Sequence, residues 1–289
     1  MANSKSNKMS WREINATKKA LAERFPGDPF LPKLLKGVMR VARDKSNPIR
    51  GNLAASGLRE IVGHVLHDLA PEQEVRRCVW FEQAKDTAGI TRRQRANYIV
   101  HAGLPEAFVE DILSLDVREE VQPLLDAINE LNRATHVQAE TIIHKGRDVR
   151  KMIQNVLFGL VNLLEGAATA RETMKHALAE VMHEAVFDNL ISETIQELDE
   201  LSTHTVVNGH AIDTIAVQLM NATTVCYVVT GEVEVELQYG SNSDVRNDIG
   251  FRRNDAYPYR AIITSCAAEP SEIHSNDVAL TVDNRSFFE

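Results

Sequence analysis

Helical periodicity dominates the first two thirds of the chain. In the stretch SGLREIVGHVLHDL, residues 56–69, apolar residues recur at the spacing of an amphipathic helix. Asn52 or Ser56 is placed to cap this helix. Residues 147–201 contain almost no Gly or Pro and predict two long helices, broken near Gly166, that form a hairpin or a dimer seam. Similar patterns predict further helices over about 1–25, 30–45, 91–103, 105–115 and 117–145.

The pattern changes to that of β-strands after Thr203. The segment GEVEVELQY, residues 231–239, alternates Val or Leu with Glu or Gln, which is typical of a strand with one buried and one wet face. Asn208-Gly209 lies between two short apolar runs and predicts a two-residue hairpin turn. Three more strands are predicted over residues 225–229, 261–266 and 278–282.

These patterns together predict an α+β protein. A mainly helical body with long C-terminal helices is expected over residues 1–202, with a basic half at 1–100 and the long helices at 117–202. A small antiparallel β domain, sandwich-like, is expected over residues 203–289.

Composition restricts the class of protein. The chain has 289 residues, 44% hydrophobic and 25% charged, as in soluble globular proteins. Its three cysteines form no CxxC pair, which argues against a disulfide framework or a zinc ribbon and favours a reducing compartment. The N-terminal stretch lacks the apolar core of a signal peptide, and the most apolar run, residues 156–164, is too short to span a bilayer. We therefore expect a cytoplasmic protein with no membrane association.

The charge is unevenly divided along the chain. The total is −9, but residues 1–100 carry +9 and residues 101–289 carry −18. A basic surface on an acidic body can collect a polyanion locally, although a basic half docked on the acidic half explains the division equally well.

The basic segment TRRQRANY combines guanidinium donors with an aromatic ring, a combination that suits phosphate and base contact. A basic first turn of a helix that simply faces solvent is an equally good interpretation of the same segment. We assign nucleic-acid contact, with RNA favoured over DNA, to the following residues: Arg50, Arg92, Arg93, Arg95 and Tyr98.

Arg59 and His64 form an Arg-x4-His pair that could cleave RNA without a metal. A neutral imidazole can take the proton of a ribose 2′-hydroxyl, and a guanidinium can stabilise the charge that develops on the phosphate. On one helix, however, five residues correspond to about 140° of rotation and ~7.5 Å of rise. The two side chains therefore converge only through a distorted helix, a long reach of Arg59, or a second copy of the chain. The pattern also recurs at Arg171 and His176.

Glu60, His64 and Asp68 lie on one stripe of the same helix, at i, i+4 and i+8. Two carboxylates beside an imidazole can orient it for general acid–base work. A solvated stripe with mild charge pairing is the alternative interpretation.

Two other clusters were weighed as metal sites. His176, Glu180 and His183 share a helix face, but no further ligand at diagnostic spacing completes the set. The acidic strand around Glu236 lacks the lysine of a Glu-x-Lys nuclease element, since no lysine follows Lys175. We therefore expect no metal and no cofactor.

Several stretches of the chain resemble a known bacterial family. They are SNPIRGNLAASGLREIVGHVLHDLAP (46–71), the TRRQR segment, ELDELSTHTVV (197–207) and TGEVEVELQYGSNSDVRNDIG (230–250). The family is that of the predicted PIWI-associating nucleases of defence and conflict loci. The resemblance implies antiviral or inter-genomic conflict biology with partner proteins encoded nearby. A looser similarity links Arg59, Glu60 and His64 to HEPN-type ribonucleases, which use an Arg-x4–6-His motif across a dimer.

These observations and resemblances lead to two hypotheses. The first is a metal-independent endoribonuclease of a defence system, in which Arg59 stabilises the transition state, His64 is the general acid–base and Glu60 orients it. The long helices would then form a homo-oligomer, and the β domain would bind a partner protein or sense a signal. The alternative is a non-catalytic protein- or nucleic-acid-binding module of an antiviral defence complex.

Overall fold

The computed structural model describes residues 9–85 and 87–289 and confirms the α+β class. The N-terminal part is helical, and a four-stranded antiparallel sheet follows it. The helix predicted over residues 1–25 spans Trp11–Glu23, and the first eight residues of that prediction lie outside the described part. Ser10 caps this helix through a reciprocal capping box with Glu13, which explains why the helix begins there.

Ten α-helices are present within the described residues. Their bounds are α1 Trp11–Glu23, α2 Leu31–Arg43, α3 Arg50–Leu69, α4 Glu72–Arg77, α5 Arg92–His101, α6 Val117–Thr135, α7 Gly146–Ala177, α8 Ala179–Ser192, α9 Gln196–Asp199 and α10 Asn242–Arg246. A π-helical turn covers Phe108–Ile112, and short 3₁₀ turns cover Ser275–Asp277 and Arg285–Phe287.

Two local predictions about these helices were wrong. Helix α3 begins at Arg50, before both predicted caps, because the side chain of Asn52 is buried and hydrogen-bonded to the chain around Ala134 and Thr141. Helix α7 runs without a break through Gly166 and ends at Ala177. Gly166 permits close packing there, since a Cβ at this position would lie 2.8 Å from Glu120 Cγ.

The strands form one meander in the order β1-β2-β3-β4, and they do not form the two facing sheets of a sandwich. Their bounds are β1 His204–Met220, β2 Thr224–Tyr239, β3 Phe251–Cys266 and β4 Val278–Val282. The two strands predicted at 225–229 and 231–239 are therefore one long strand.

The predicted Asn-Gly hairpin turn was wrong. Asn208-Gly209 lies inside β1, where the pairing register with β2 shifts between Val207 and Gly209. Asn208 is the extra residue of β1 at this shift, which is a bulge and not a turn. The chain turns instead after Met220, where the side chain of Asn221 accepts hydrogen bonds from the backbone amides of Thr223 and Thr224 at the start of β2.

The alternation of polarity along β2 is confirmed. Val229, Val233 and Val235 are fully buried, whereas Glu232 and Glu234 are exposed. Helix α8 packs against β1 and β4, so the apolar residues of the sheet form a core with that helix.

The chain divides into two compact units. The first comprises the chain up to Arg76, Phe81–His101 and Ser114–Ala170, and the second comprises Arg77–Trp80, Ala102–Leu113 and Arg171–Glu289. Of the helices described, none is both long and apolar enough to cross a membrane.

Candidate functional site

Two arginines meet at the C-terminal end of α6 in the first unit. The guanidinium of Arg59, on α3, donates to Thr135 Oγ1 at 3.0 Å. The guanidinium of Arg92, the first residue of α5, donates to Asn132 Oδ1 at 3.4 Å, one turn earlier on α6. Burial and the charge of Arg59 both lower the pKa of Arg92. The two positive charges therefore lie close enough to repel one another.

A third arginine extends this surface along α6. Arg93 is exposed and donates to Gln122 Oε1 at 3.0 Å. We refer to Arg59, Arg92 and Arg93 as the arginine row. All three hydrogen-bond to neutral side chains of one helix, over about 20 Å of its length.

The guanidinium groups of the arginine row form no ion pairs with carboxylates in the part of the chain that the structure describes. Within residues 9–85 and 87–289, none of the three guanidinium groups has an Asp or Glu oxygen at ion-pair distance. Arg92 and Arg93 also occupy the start of α5, where the helix dipole disfavours cations. The three guanidinium groups thus contact neutral acceptors, an arrangement that leaves their charge available to an anion.

The other residues assigned to nucleic-acid contact lie inside the first unit. Arg95 is 6% exposed and donates to the carbonyl oxygen of Ala70, and Tyr98 is 8% exposed. Arg50 is partly buried and donates to the carbonyl oxygen of His144. Their burial and their bonds to backbone carbonyls favour a structural function, and the proposed surface does not include them.

His64 is paired with a carboxylate that the helical spacing does not reveal. His64 Nε2 lies 2.5 Å from Asp28 Oδ2, and the two side chains are 28% and 15% exposed. The other carboxylate oxygen of Asp28 accepts from the backbone amides of Phe30 and Leu31 at the start of α2. The hydrogen bond with His64 lowers the pKa of Asp28, and the two backbone amides lower it further. Asp28 is therefore a carboxylate at neutral pH that orients the imidazole.

The predicted catalytic residues are not assembled around one point of a single chain. Arg59 reaches α6, whereas His64 reaches the loop before α2, as expected for side chains about 140° apart on a helix. Glu60 and Asp68 are exposed, and the carboxylate that contacts His64 is Asp28. The role of Glu60 stays a prediction.

A sequence signal for Asp28 does exist, but it is incomplete. An Asp directly before Pro29 and an apolar helix is a typical N-terminal capping residue. Its partner His64 is 36 residues away, however, and no local spacing connects the two. The neutral partners of the arginine row on α6 are likewise set by tertiary packing.

The residues of the two candidate metal clusters are arranged differently from what the sequence pattern predicts. Helix α7 ends at Ala177 and α8 begins at Ala179, so His176 and Glu180 belong to different helices. Glu236 pairs with Arg252 at 3.2 Å. Over the described ranges, no three His, Cys, Asp or Glu side chains are grouped as a metal would require.

The fold and the arginine row together define an α+β protein with a surface suited to phosphate groups. Comparison with protein families agrees with this class. The chain belongs to the family described as predicted pPIWI-associating nucleases, for which one model matches residues 22–160 and a second matches residues 167–288. Searches of curated proteins and of solved structures gave no match. The family description implies that the protein binds nucleic acid.

Proposed function

We propose that this protein is a metal-independent endoribonuclease that binds RNA along the arginine row. The observation that carries this proposal is the set of three guanidinium groups along α6 that have no carboxylate partner at ion-pair distance. Such groups bind phosphate oxygens and release the condensed counterions of the strand.

The proposed chemistry is attack of a ribose 2′-hydroxyl on the adjacent phosphorus. His64 takes the hydroxyl proton, the 2′-oxygen bonds to phosphorus, and the bond from phosphorus to the 5′-oxygen breaks. The 5′-oxygen leaves as a hydroxyl after it takes a proton from the protonated His64, and a 2′,3′-cyclic phosphate remains. Arg59 stabilises the negative charge that develops on the phosphate oxygens. Asp28 is a positioning residue that holds the imidazole ring.

Arg59 and His64 extend in different directions from α3, so we place the catalytic pair between two copies of the chain. In a two-fold dimer, Arg59 of one copy and His64 of the other can face the same phosphate. The long helices predicted to form a seam are the elements we assign to this contact.

Subunit complementation tests the composite site. Arg59→Ala and His64→Ala are each expected to abolish RNA cleavage. An equal mixture, unfolded and refolded together, is expected to regain about a quarter of wild-type activity, because half of the dimers are mixed and each of these has one intact site. No recovery, with mixed dimers shown by mass spectrometry of differently tagged chains, would reject the composite site.

Asp28→Asn tests the positioning role separately from folding. The expected result is a lower kcat with an unchanged KM and an unchanged melting temperature.

The nature of the substrate is tested with matched strands. RNA should be bound and cleaved, whereas the 2′-O-methyl strand should be bound along the arginine row and left intact.

A second candidate function is a non-catalytic nucleic-acid-binding module. Its support is that both oxygens of Asp28 are engaged, since one accepts from the amides of Phe30 and Leu31 and the other contacts His64, as a purely structural tie would require. This function predicts RNA binding by the arginine row with no cleavage by the wild-type protein under any metal condition.

The family description also names association with PIWI proteins. We therefore propose a PIWI-type protein as a partner and antiviral defence as the setting. Co-purification of a PIWI-type protein encoded beside this chain tests the partner. Loss of antiviral defence in a strain that lacks the gene for this chain tests the setting.

A further inference from the structure

A cleft in the second unit has the properties of a base-binding site. It encloses about 910 Å³ between the junction of α7 with α8 and the middle of β1. This volume lies within the range of small-molecule sites. All residues of the cleft belong to the second unit, and none of them is a member of the arginine row.

Two stacked imidazole rings, those of His183 and His210, line the cleft, and Phe187 stacks on His210 from outside the lining. The imidazoles of His183 and His210 are stacked with centroids 4.1 Å apart, and Phe187 lies 6.0 Å from His210 at an angle of 11°. His210 is fixed in place, because Nε2 faces the carbonyl oxygen of His183 and Nδ1 faces the hydroxyl of Tyr259. Nε2 therefore donates to the carbonyl, and Nδ1 accepts from the hydroxyl.

The burial of His210 favours its neutral imidazole. Burial lowers the pKa of His210, and the neighbouring His183 lowers it further. His183 is itself exposed and lines the cleft. A planar ligand can therefore extend the existing stack by contact with His183.

The charges of the cleft select against phosphate and for hydrogen-bond donors. Glu180, Glu184 and Asp213 line it, and over the described residues none of them has a basic partner at ion-pair distance. The one lysine of the lining, Lys175, is already paired with Glu172 at 2.7 Å. The lining thus offers carboxylate oxygens, which accept hydrogen bonds only.

We propose that this cleft binds a guanine base, stacked on His183 and held at its edge by a carboxylate of the lining. Among the common bases, guanine presents two adjacent donors, its ring N–H and its exocyclic amine, to a two-oxygen acceptor. Adenine and cytosine place an acceptor nitrogen beside their amine, and a carboxylate repels it. The base can come from a free nucleoside or from an unpaired position of an RNA strand.

Titration calorimetry with guanosine, inosine and adenosine tests the site. Guanosine should bind, inosine should bind more weakly because it lacks the exocyclic amine, and adenosine should bind at least about tenfold more weakly. GTP should bind more weakly than guanosine at low salt, because its phosphates meet the unpaired carboxylates. Absence of guanosine binding, equal affinity for adenosine, or tighter binding of GTP would each overturn the proposal.

Variants of the lining locate the binding. His183→Ala should weaken guanosine binding by loss of stacking, and at least one of Glu180→Gln, Glu184→Gln and Asp213→Asn should remove the preference over adenosine. Glu193→Gln, at the far end of α8, is the matched control and should bind as the wild type does. If the control weakens binding as strongly as the lining variants do, the cleft is not the site.

Competition identifies the source of the base. Displacement of guanosine by an oligoadenylate containing one guanine indicates a strand, and failure of that strand to displace it indicates a free nucleoside. Both results keep the guanine assignment. Guanosine binding requires no RNA cleavage, so failure of the proposed nuclease function leaves this test unaffected.

Discussion

The arginine row makes a quantitative prediction about salt dependence. Each contact between a guanidinium and a phosphate of a single strand contributes about −0.7 to the slope of log K against log salt. Three guanidinium groups without carboxylate partners should therefore contribute about −2 in total. The triple variant Arg59→Gln, Arg92→Gln, Arg93→Gln should lose that share of the wild-type slope.

Fluorescence anisotropy with a labelled single-stranded RNA between about 50 and 200 mM salt measures the slope directly. Arg24→Gln is the matched control, because Arg24 is paired with Glu165 at 3.3 Å and its charge is already neutralised. The control should keep the wild-type slope. An unchanged slope in the triple variant, or an equal loss in the control, would refute the assignment of the RNA-binding surface.

Three further predictions concern stability. Asn52→Ala should lower the free energy of unfolding by about 3 kcal/mol in urea titrations, since it removes one buried and two part-buried hydrogen bonds worth roughly 1 kcal/mol each; a loss below ~1 kcal/mol would contradict this. The wild-type protein should lose stability as pH falls below about 6.5, because the unfolded chain binds a proton at His210 before the folded chain does. His210→Gln should flatten that pH dependence in denaturation measured at several pH values, and an unaltered profile would exclude His210 as its source. Gly231→Ala should destabilise the second unit, because the new Cβ would collide with the Ala211 carbonyl oxygen on the paired strand, and thermal melting above the wild-type temperature would contradict the clash.

Periodicity predicted the elements of this fold better than it predicted their ends. The stripe of residues 56–69 and the alternation along 231–239 both depend on burial of one face, and both were confirmed. The signals that failed were single residues. Gly166 and Asn208-Gly209 are typical of breaks and turns, but packing against Glu120 and pairing with β2 decided their conformations.

The candidate site was predictable only in part, for a similar reason. Arg59, Arg92 and Arg93 were visible as basic residues, but their convergence on α6 depends on contacts 29 to 76 residues apart in the chain. The stripe of Glu60, His64 and Asp68 was inferred from one helix alone. Asp28 comes from another element, and helical spacing cannot show a partner from outside the helix.

The central claim is that His64 cleaves RNA without a metal. The most direct measurement is cleavage of a single-stranded RNA in excess EDTA by the wild type, by His64→Ala and by the control His204→Ala, an exposed histidine at the start of β1. The account predicts cleavage by the wild type and the control, and a rate lower by about 10²–10⁴ for His64→Ala. No cleavage by the wild type in EDTA, or equal rates for all three proteins, would contradict it.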